Sequence, residues 1–496
     1  MDQQRQGQMA PDVSISEEDW KQTPPAVRTL LESLLKQVET LVEANKALQA
    51  EVDRLRERLD QNSRNSSRPP SSDPPGTPSR KRKPSARQRG GQPGHKGTTR
   101  ELLSIEEVDE VVMVKPERCQ ECGHPLEGED LEPRRHQVTE IPPIQPETTE
   151  YQLHALDCPC CGGRTRAELP SDVTARSFGP RVQATASVLS GKYRMTKRGI
   201  EELMTDLFGV SIALGSVSNL EQATSEALEE PVEEAKDYIA EQPLANVDET
   251  GWREANDKAW LWVAVTGWVT VFVIRLSRGG KVVEELLGED FAGIVGSDRW
   301  SAYNWLDVLQ RQLCWAHLVR DFQAFVDRGG QSAEIGQELL VEAELMFQWW
   351  HRVRDGTLTR TDFQMKMQEV QTRVGDLLRK GVTCDHTKTA GTCRHILRFE
   401  DALWSFVQVE GVEPTNNAAE RAVRPGVLWR KGSFGTQSQR GSRFVERMMT
   451  VVATLKRQDR NVLDYVTAAC QAAISDESAP SLIPSEAMLT QLRHAS

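Results

Sequence analysis

Apolar residues between positions 27 and 59 recur every seven residues along the chain. They form two lines. The first consists of Val27, Leu34, Leu41, Leu48 and Leu55, and the second consists of Leu31, Val38, Val52 and Leu59, with the polar Asn45 at its centre. Such lines correspond to the d and a positions of a coiled coil, in which a lone Asn at an a position sets the register and favours a dimer. We therefore predict a coiled-coil dimerisation segment in residues 1–60. The alternative is a single amphipathic helix packed on its own domain.

A second pattern, of short apolar runs separated by turn residues, begins at residue 244 and predicts strands. The runs are Leu244–Arg253, Trp260–Val265, Val269–Leu276 and Ala292–Gly296. The first three predict a strand that turns at Gly251, followed by a hairpin. A helix-like stretch between Lys281 and Leu287 precedes the fourth run, and Gln312–Trp315 is a further short run.

Three strands, a helix and two more strands, in this order, are the arrangement of an RNase H-like α/β fold. We predict this fold for residues 241–455, followed by a C-terminal helical tail at 456–496. Between about 318 and 405, apolar residues such as Phe363, Met367, Val370 and Val374 recur at helical spacing. This stretch is therefore predicted to be a helical insertion in the α/β core.

Residues 171–240 are predicted to be helical and to resemble a helix-turn-helix. Ile200–Phe208 and Ile212–Leu220 are separated by Gly209, Val210 and Ser211, which suits a glycine turn between two helices. Ser216, Ser218 and Asn219 would then be placed to enter a DNA groove. Helical hairpins with a glycine turn also occur without DNA, so both interpretations stay open.

Two of the predicted strands carry an acidic residue. Asp248 lies in the first apolar run, and Asp298 ends the fourth. Carboxylates at the ends of neighbouring strands suit Mg²⁺, which takes oxygen ligands and one or two protein carboxylates. Taken singly, each residue is also an ordinary strand-end turn residue. Glu249 is a bystander or a support for Asp248.

A third acid, Glu420, is predicted to lie in the first turn of a helix. Thr415, Asn416 and Asn417 are residue types that begin helices, and Pro425 with Gly426 is predicted to end this one. Arg421 and Arg424 are one helical turn apart and suit a phosphate. The alternative is a surface helix in which the charge of Glu420 only interacts favourably with the helix dipole. Glu410 and Glu413 are rival acids in a loop-like segment.

Composition places the chain among multidomain proteins without a membrane span. The apolar stretch Ala259–Ile274 is too short to cross a bilayer, and no signal peptide opens the chain. The net charge of −12 argues against bulk attraction to nucleic acid. Residues 61–100, rich in Ser, Pro, Gly and Arg, are predicted to be a disordered linker and a DNA-contacting arm. The cations of this arm that are predicted to contact DNA are Arg80, Lys81, Arg82, Lys83, Arg87, Arg89 and Lys96.

Cysteine spacing predicts a structural zinc site in residues 101–170. The chain has nine cysteines, and four of them form two C-x-x-C pairs, each followed by Gly. Two such pairs are typical of a Cys₄ zinc site, because a tight turn lets both thiolates of a pair face one ion. The predicted ligands are Cys119, Cys122, Cys158 and Cys161, with Cys160 as a possible substitute. Metal use of cysteine indicates a reducing compartment.

Taken together, these motifs resemble the bacterial transposases of insertion-sequence family sixty-six, the TnpC type with a DDE catalytic domain. The resemblance covers most of the chain from the heptads onward. It rests on N-S-S-R-P-P-S-S-D, R-G-G-Q-P-G-H-K-G, the two C-x-x-C pairs, V-D-E-T, C-W-A-H and N-N-A-A-E-R-A-V-R-P, in the family's order. This chain departs from the family in the Arg-Trp pair after Asp298 and in Thr415, where an Asp is usual.

The resemblance implies a function as well as a fold. It implies that Asp248, Asp298 and Glu420 are the catalytic triad of a DNA transposase that uses two Mg²⁺ or Mn²⁺ ions, with Zn²⁺ as a structural ion. The substrates would be double-stranded DNA at terminal repeats and at a target, and the enzyme would be cytoplasmic and nucleoid-associated. The heptads predict that it is a homodimer, and accessory proteins encoded by the element are candidate partners. The alternative is a catalytically inert, zinc-containing dimeric DNA-binding regulator.

Overall fold

A computed structural model of the chain describes residues 16–66, 73, 100–485 and 488. The described residues form two compact units. One contains the described part of 1–77 with His317–Glu344 and Leu377–Cys393, and the other contains the described part of 78–316, Leu345–Asp376 and the described part of 394–496. The cations predicted to contact DNA between Arg80 and Lys96 lie outside the described residues. Within the described ranges, no helix has both the length and the apolarity needed to cross a membrane.

The N-terminal heptads form one long helix, as their periodicity predicts. A short helix, α1 (Glu17–Gln22), precedes α2 (Pro25–Asp60), which has proline in its first turn, where a missing N–H costs nothing. The heptad leucines of α2 lie largely in solvent: Leu41 is 67% exposed and Leu59 is 76% exposed. The helix itself is therefore observed, whereas its pairing with a second copy stays a prediction.

The cysteine-rich segment has little regular structure of its own. Its one hairpin pairs β1 (Ala155–Asp157) with β2 (Arg164–Arg166). Its apolar side chains are exposed, for example Val114 at 88% and Leu131 at 90%. Among the described residues of this segment, no apolar side chain is buried that would form a core.

Four helices follow and pack as a bundle. They are α3 (Pro180–Gly191), α4 (Lys197–Phe208), α5 (Leu214–Ala227) and α6 (Glu229–Ala240). Gly209 ends α4 in the left-handed conformation, with φ of 63°, as the predicted glycine turn requires. The Ser218 hydroxyl accepts a hydrogen bond from Lys197 Nζ at 2.7 Å. Ala184 and Leu228 belong to the same apolar cluster as the central sheet, so the helices continue its core.

The centre of the second unit is a mixed sheet of five strands. The strands are β3 (Leu244–Glu254), β4 (Asp257–Val265), β5 (Thr270–Arg275), β6 (Ile294–Ser297) and β7 (Arg311–Leu313), with α7 (Gly280–Leu287) between β5 and β6. Their order in the sheet is β5-β4-β3-β6-β7. The first three strands run antiparallel, and β6 and β7 run parallel to β3. The predicted α/β architecture is therefore present.

The predicted turn at Gly251 is wrong, because β3 continues through this residue. Pairing with β4 extends to Glu254 opposite Asp257, and the chain turns at Ala255 and Asn256, with Ala255 at φ of 51°. Glycine at 251 serves packing instead. A Cβ there would lie 3.0 Å from Arg430 Nη1, and Arg430 donates a hydrogen bond to the Gly251 carbonyl.

A helix covers the outer edge of β5. Helix α14 (Gln439–Arg457) lies along this strand, and α15 (Val462–Ser475) follows it. The N–H groups of Thr270 and Phe272 donate to Thr454 Oγ1 at 3.1 Å and Thr450 Oγ1 at 3.0 Å, and the N–H of Ile274 donates to Glu446. Alternate N–H groups of β5 thus donate hydrogen bonds to side chains that are about one helical turn apart on α14.

Helices occupy the stretch predicted to be an insertion. They are α8 (Trp315–Asp327), α9 (Gly330–Arg354), α10 (Arg360–Val382), α11 (Thr387–Leu397) and the short α12 (Ser405–Gln408). In the second unit, the rings of Phe363 and Phe406 lie 6.0 Å apart, and both are fully buried. Aromatic residues of this stretch therefore contribute to a core.

Candidate active site

Asp248 in β3 and Asp298, the residue directly after β6, lie at matching positions of two neighbouring chain segments. In the parallel pairing of β3 with β6, Asn246 is opposite Gly296. Two residues further on come Asp248 and Asp298. Neighbouring strands are about 4.8 Å apart, so the two carboxylates lie at the same level of the sheet. Both residues are half-buried.

Helix α13 (Asn417–Ser433) carries Glu420, whose charge reaches Asp248 and raises the pKa of that carboxyl. Glu420 lies in its first turn, as predicted. Ala419 and Val423 of the helix pack with Val263 of β4. Because Val263 is the antiparallel partner of Asp248, α13 covers the face of the sheet that carries Asp248.

Asn416 attaches the start of α13 to β3. It occupies the position before the helix, but its side chain makes no capping hydrogen bond. Its Nδ2 instead donates to the Val247 carbonyl at 2.7 Å, and its backbone N–H donates to Cys314 Sγ at 3.2 Å. Asn416 therefore does not cap α13 with its side chain. It connects the start of the helix to β3 beside Asp248.

The gathering of acids has an electrostatic consequence for Asp248. Burial raises the pKa of this carboxyl well above its usual range, and the charges of Glu249, Asp298 and Glu420 raise it further. A charged carboxylate in this position is costly unless a cation balances it. The site therefore favours either a proton or a metal ion.

Glu249 points to the opposite face of β3 and is held there by an arginine. Its almost fully buried carboxylate accepts hydrogen bonds from Arg278 Nε at 2.9 Å and Nη2 at 2.6 Å and from the Tyr303 hydroxyl at 3.2 Å. Burial raises the pKa of Glu249, and Arg278 opposes this shift. Glu249 is thus occupied by its own partners.

Two tryptophans hold Arg278 in place. Its guanidinium carbon lies 3.9 Å from the ring centroid of Trp300 and 4.5 Å from that of Trp260. The backbone N–H of Trp300 donates to Asp298 Oδ1 at 2.8 Å. The Arg-Trp pair after Asp298, which departs from the resembled family, thus connects Asp298 to the cation that holds Glu249.

The prediction that Pro425 and Gly426 end the helix is wrong. Helix α13 continues to Ser433 with Pro425 inside it. An interior proline costs about 3 kcal/mol because it removes one backbone hydrogen bond and crowds the preceding turn. Burial offsets this cost: Gly426 lies so close to Leu261 that a Cβ would touch its side chain. Trp429, beyond the proline, packs against both apolar clusters of the sheet.

The two cysteine pairs adopt the same turn. In the first, the Gly123 N–H donates to the Cys119 carbonyl at 2.9 Å, and in the second the Gly162 N–H donates to the Cys158 carbonyl at 2.8 Å. Both glycines have φ of 71°. Hydrogen bonds from the backbone lower the thiol pKa values of Cys119 and Cys158. Among the described residues, however, no three of the four predicted zinc ligands lie within 4.8 Å of one another.

Arg421 and Arg424 are both exposed on α13, which suits their predicted contact with a phosphate. Sequence reasoning missed the tether made by Asn416 and the support given by Arg278. The only signal for the first was the Asn-Asn pair before Glu420. For Arg278 the signal was the unusual Arg-Trp pair after Asp298, because Trp300 stacks on it.

Comparison with known proteins agrees with this architecture. A family model described as "Transposase IS66 family" matches residues 176–443, which contain all three acids and more than half of the chain. A family of unknown function matches residues 22–101. The uncharacterized protein y4qI of Sinorhizobium fredii is 27% identical over 236 residues, which cover 42% of this chain and 43% of that relative. The match thus spans less than half of the relative's length.

Proposed function

Because this chain belongs to the IS66 family of transposases, we propose that it cuts DNA at the ends of an insertion sequence and joins them to target DNA. The core is proposed to be RNase H-like, with Asp248, Asp298 and Glu420 as its catalytic acids. The observation that carries the proposal is the shared level of Asp248, in β3, and Asp298, directly after the neighbouring parallel strand β6, beneath the helix that bears Glu420.

We propose that the acids hold divalent metal, two Mg²⁺ or Mn²⁺ ions. The donor set fits: carboxylate oxygens are the ligands these ions prefer, and a cation would balance the charges that raise the pKa of Asp248. In addition, the buried Oδ1 of Asn416, beside β3, accepts no hydrogen bond among the described residues. Bound metal would supply charge stabilisation for in-line phosphoryl transfer and a more acidic attacking water or hydroxyl.

The protein's own residues position the reaction. Asn416 keeps the first turn of α13 against β3, so that Glu420 stays near Asp248. The Trp300 N–H orients Asp298. Arg424, exposed on the same helix, is proposed to hold a DNA phosphate near the acids. Positioning and charge are what phosphoryl transfer requires of a protein, since little covalent chemistry falls to its side chains.

We predict that the full-length protein cleaves duplexes that carry the element's ends in Mg²⁺ and not in buffer without added divalent metal. Cleavage should return when Mg²⁺ or Mn²⁺ is restored, because the acids need a cation to act on phosphate. Gel analysis of end-labelled duplexes measures this, with a scrambled duplex as control. Specific binding of ends without cleavage in any divalent metal would instead favour the inert DNA-binding regulator, which the family match does not favour.

Pairing of two copies through α2 is proposed from its heptads. We predict that Asn45→Val raises the melting temperature of the isolated 27–59 segment and broadens its oligomeric state, since a buried Asn trades stability for a defined register. Circular dichroism and sedimentation measure both. Glu43→Gln, off the heptad lines, is the control. A wild-type segment that sediments as a monomer at about 100 µM, far above zipper dissociation constants, contradicts the pairing.

One structural Zn²⁺ is proposed for Cys119, Cys122, Cys158 and Cys161. The matching turns and the lack of an apolar core in their segment support it, since metal binding can supply the folding energy of a small domain. We predict that Cys158→Ser lowers zinc content and makes residues 101–165 sensitive to proteolysis while the catalytic core stays folded. Elemental analysis and limited proteolysis measure this. Cys470→Ser, a buried cysteine elsewhere, should keep its zinc. Wild-type protein purified without chelator and free of zinc contradicts the site.

A further inference from the structure

A pocket of about 260 Å³ lies on the other flank of the helix that carries Glu420. Its wall on α13 consists of Ala418, Arg421, Ala422, Pro425 and Trp429. These positions form one stripe of a helix with 3.6 residues per turn, and Glu420 points roughly 160° away from it. A helix is about 10–12 Å across with its side chains. The pocket and the acids are therefore separate sites carried by one element.

The pocket combines an apolar floor with a cationic rim. Phe272, Met449 and Val452 contribute apolar surface beside Trp429. The rim has five cations and, among the described residues, no acid: Lys192, Arg194, Arg421, Lys456 and Arg457. Arg421 and Arg457 line the same pocket. Burial lowers the pKa of Arg457, and the charge of Arg421 lowers it further. Neighbouring cations of this kind favour an anion.

We propose that this pocket binds one unpaired nucleotide of a DNA strand, with its phosphate at Arg421 and Arg457 and its base on the apolar floor beside Trp429. The volume lies just below the roughly 300–1,000 Å³ of typical small-molecule sites, which suits a single planar group. A base inside a duplex is stacked and paired and does not reach such a pocket, so the nucleotide must be extruded or already single-stranded.

This inference rests on the proposed function in taking DNA as the substrate. It adds a contact that the acids do not make. Because the pocket and Glu420 lie on different flanks of α13, a nucleotide held here is not the one that reacts. The same helix would thus carry an acid for the reacting phosphate and a pocket for a neighbouring nucleotide, which would hold the DNA end open beside the site of cleavage.

The test compares a short oligothymidylate with an abasic strand of equal length, bound to the full-length protein in buffer without added Mg²⁺ or Mn²⁺. Both strands present the same phosphates, so their affinity ratio reports the base. Fluorescence anisotropy should give a ratio on the order of tenfold for the wild type, since stacking of a base on an aromatic side chain is worth this much. Ala422→Leu, which fills the pocket without changing charge, should reduce the ratio to about one, while its melting temperature shows that it is folded.

A second pair of variants tests the cations without relying on Ala422. Lys456 and Arg440 are both exposed on α14, about 24 Å apart along the helix, and Arg440 lies outside the pocket. Lys456→Glu should weaken oligothymidylate binding severalfold more than Arg440→Glu. A wild-type ratio near one, a tenfold ratio kept by folded Ala422→Leu, or equal effects of Lys456→Glu and Arg440→Glu would each overturn the proposal.

Two further measurements identify the source of the nucleotide and separate this proposal from the catalytic one. Thymidine monophosphate should compete far more weakly than the oligothymidylate. Equal competition would make the pocket a site for free nucleotides and overturn its role in holding DNA. Asp248→Asn should keep the wild-type ratio even where cleavage is lost, because the pocket does not use the acids. If the protein fails to cleave DNA, the ratio of its affinities for oligothymidylate and the abasic strand therefore still tests the pocket.

Discussion

Asp248→Asn is expected to slow Mg²⁺-dependent cleavage of DNA ends by on the order of a thousandfold, as for other losses of a central electrostatic group. The same change should raise the melting temperature of the protein without added Mg²⁺ or Mn²⁺ by a few degrees, about 2–4 °C for each kcal/mol. Burial and three neighbouring acids raise the pKa of Asp248. Its contribution to stability is therefore fully present below the unfolded pKa of about 3.9 and is lost as the pH rises through the raised folded value.

The stabilisation expected from Asp248→Asn therefore depends on pH. Scanning calorimetry without added Mg²⁺ or Mn²⁺ should show the higher melting temperature of Asp248→Asn near pH 7 and the disappearance of this difference towards pH 4, where the wild-type carboxyl is protonated. Mg²⁺ should raise the melting temperature of the wild type more than that of the variant. Asp257→Asn, exposed at the start of β4, should match the wild type in both assays. Wild-type cleavage by Asp248→Asn, or destabilisation at neutral pH, would remove Asp248 from the metal site.

Glu420→Gln is expected to reduce cleavage and strand joining at least a hundredfold, again as for loss of a central electrostatic group. Glutamine keeps the size of the side chain and removes only its charge. The start of α13 should stay in place, because the tether from Asn416 to Val247 and the burial of Ala419 do not depend on that charge. Folding, followed by circular dichroism, and binding of the ends should therefore remain near wild type.

Glu413→Gln is the matched control for this second substitution. Glu413 is exposed and precedes Pro414, outside α13, so its charge does not reach the other acids. This variant should cleave at the wild-type rate. The opposite pattern, with Glu420→Gln active and Glu413→Gln inactive, would show that the third acid comes from the loop instead of the helix.

The sequence predicted the parts of this site better than their arrangement. Apolar runs predicted the strands that carry Asp248 and Asp298, because burial on both faces requires such runs. The shared level of Asp248 and Asp298 depends on the register between β3 and β6. These two strands pair over only three residues and are far apart in the chain. Local pattern does not contain that register. The resemblance, not periodicity, related Glu420 to the two strands.

Where local rules failed, tertiary packing was the reason. Gly251 and Pro425 are turn and helix-ending residues by their local chemistry. In the folded chain, Arg430 lies against Gly251, and Trp429 extends the packing of α13 past Pro425. The position of Arg278, which binds Glu249, also depends on tertiary packing. Its two tryptophan partners lie 18 and 22 positions from it in the chain, which is too far for a periodic pattern to relate them.

The side chains of α14 along β5 also limit how copies of this protein can associate. An open sheet edge accepts a strand from another molecule, which leads to domain-swapped dimers or to aggregation. Here Thr454, Thr450 and Glu446 already occupy alternate N–H groups of the edge strand. Strand addition at β5 would have to displace the whole helix, so this edge is closed to recruitment of a second copy and to fibre growth.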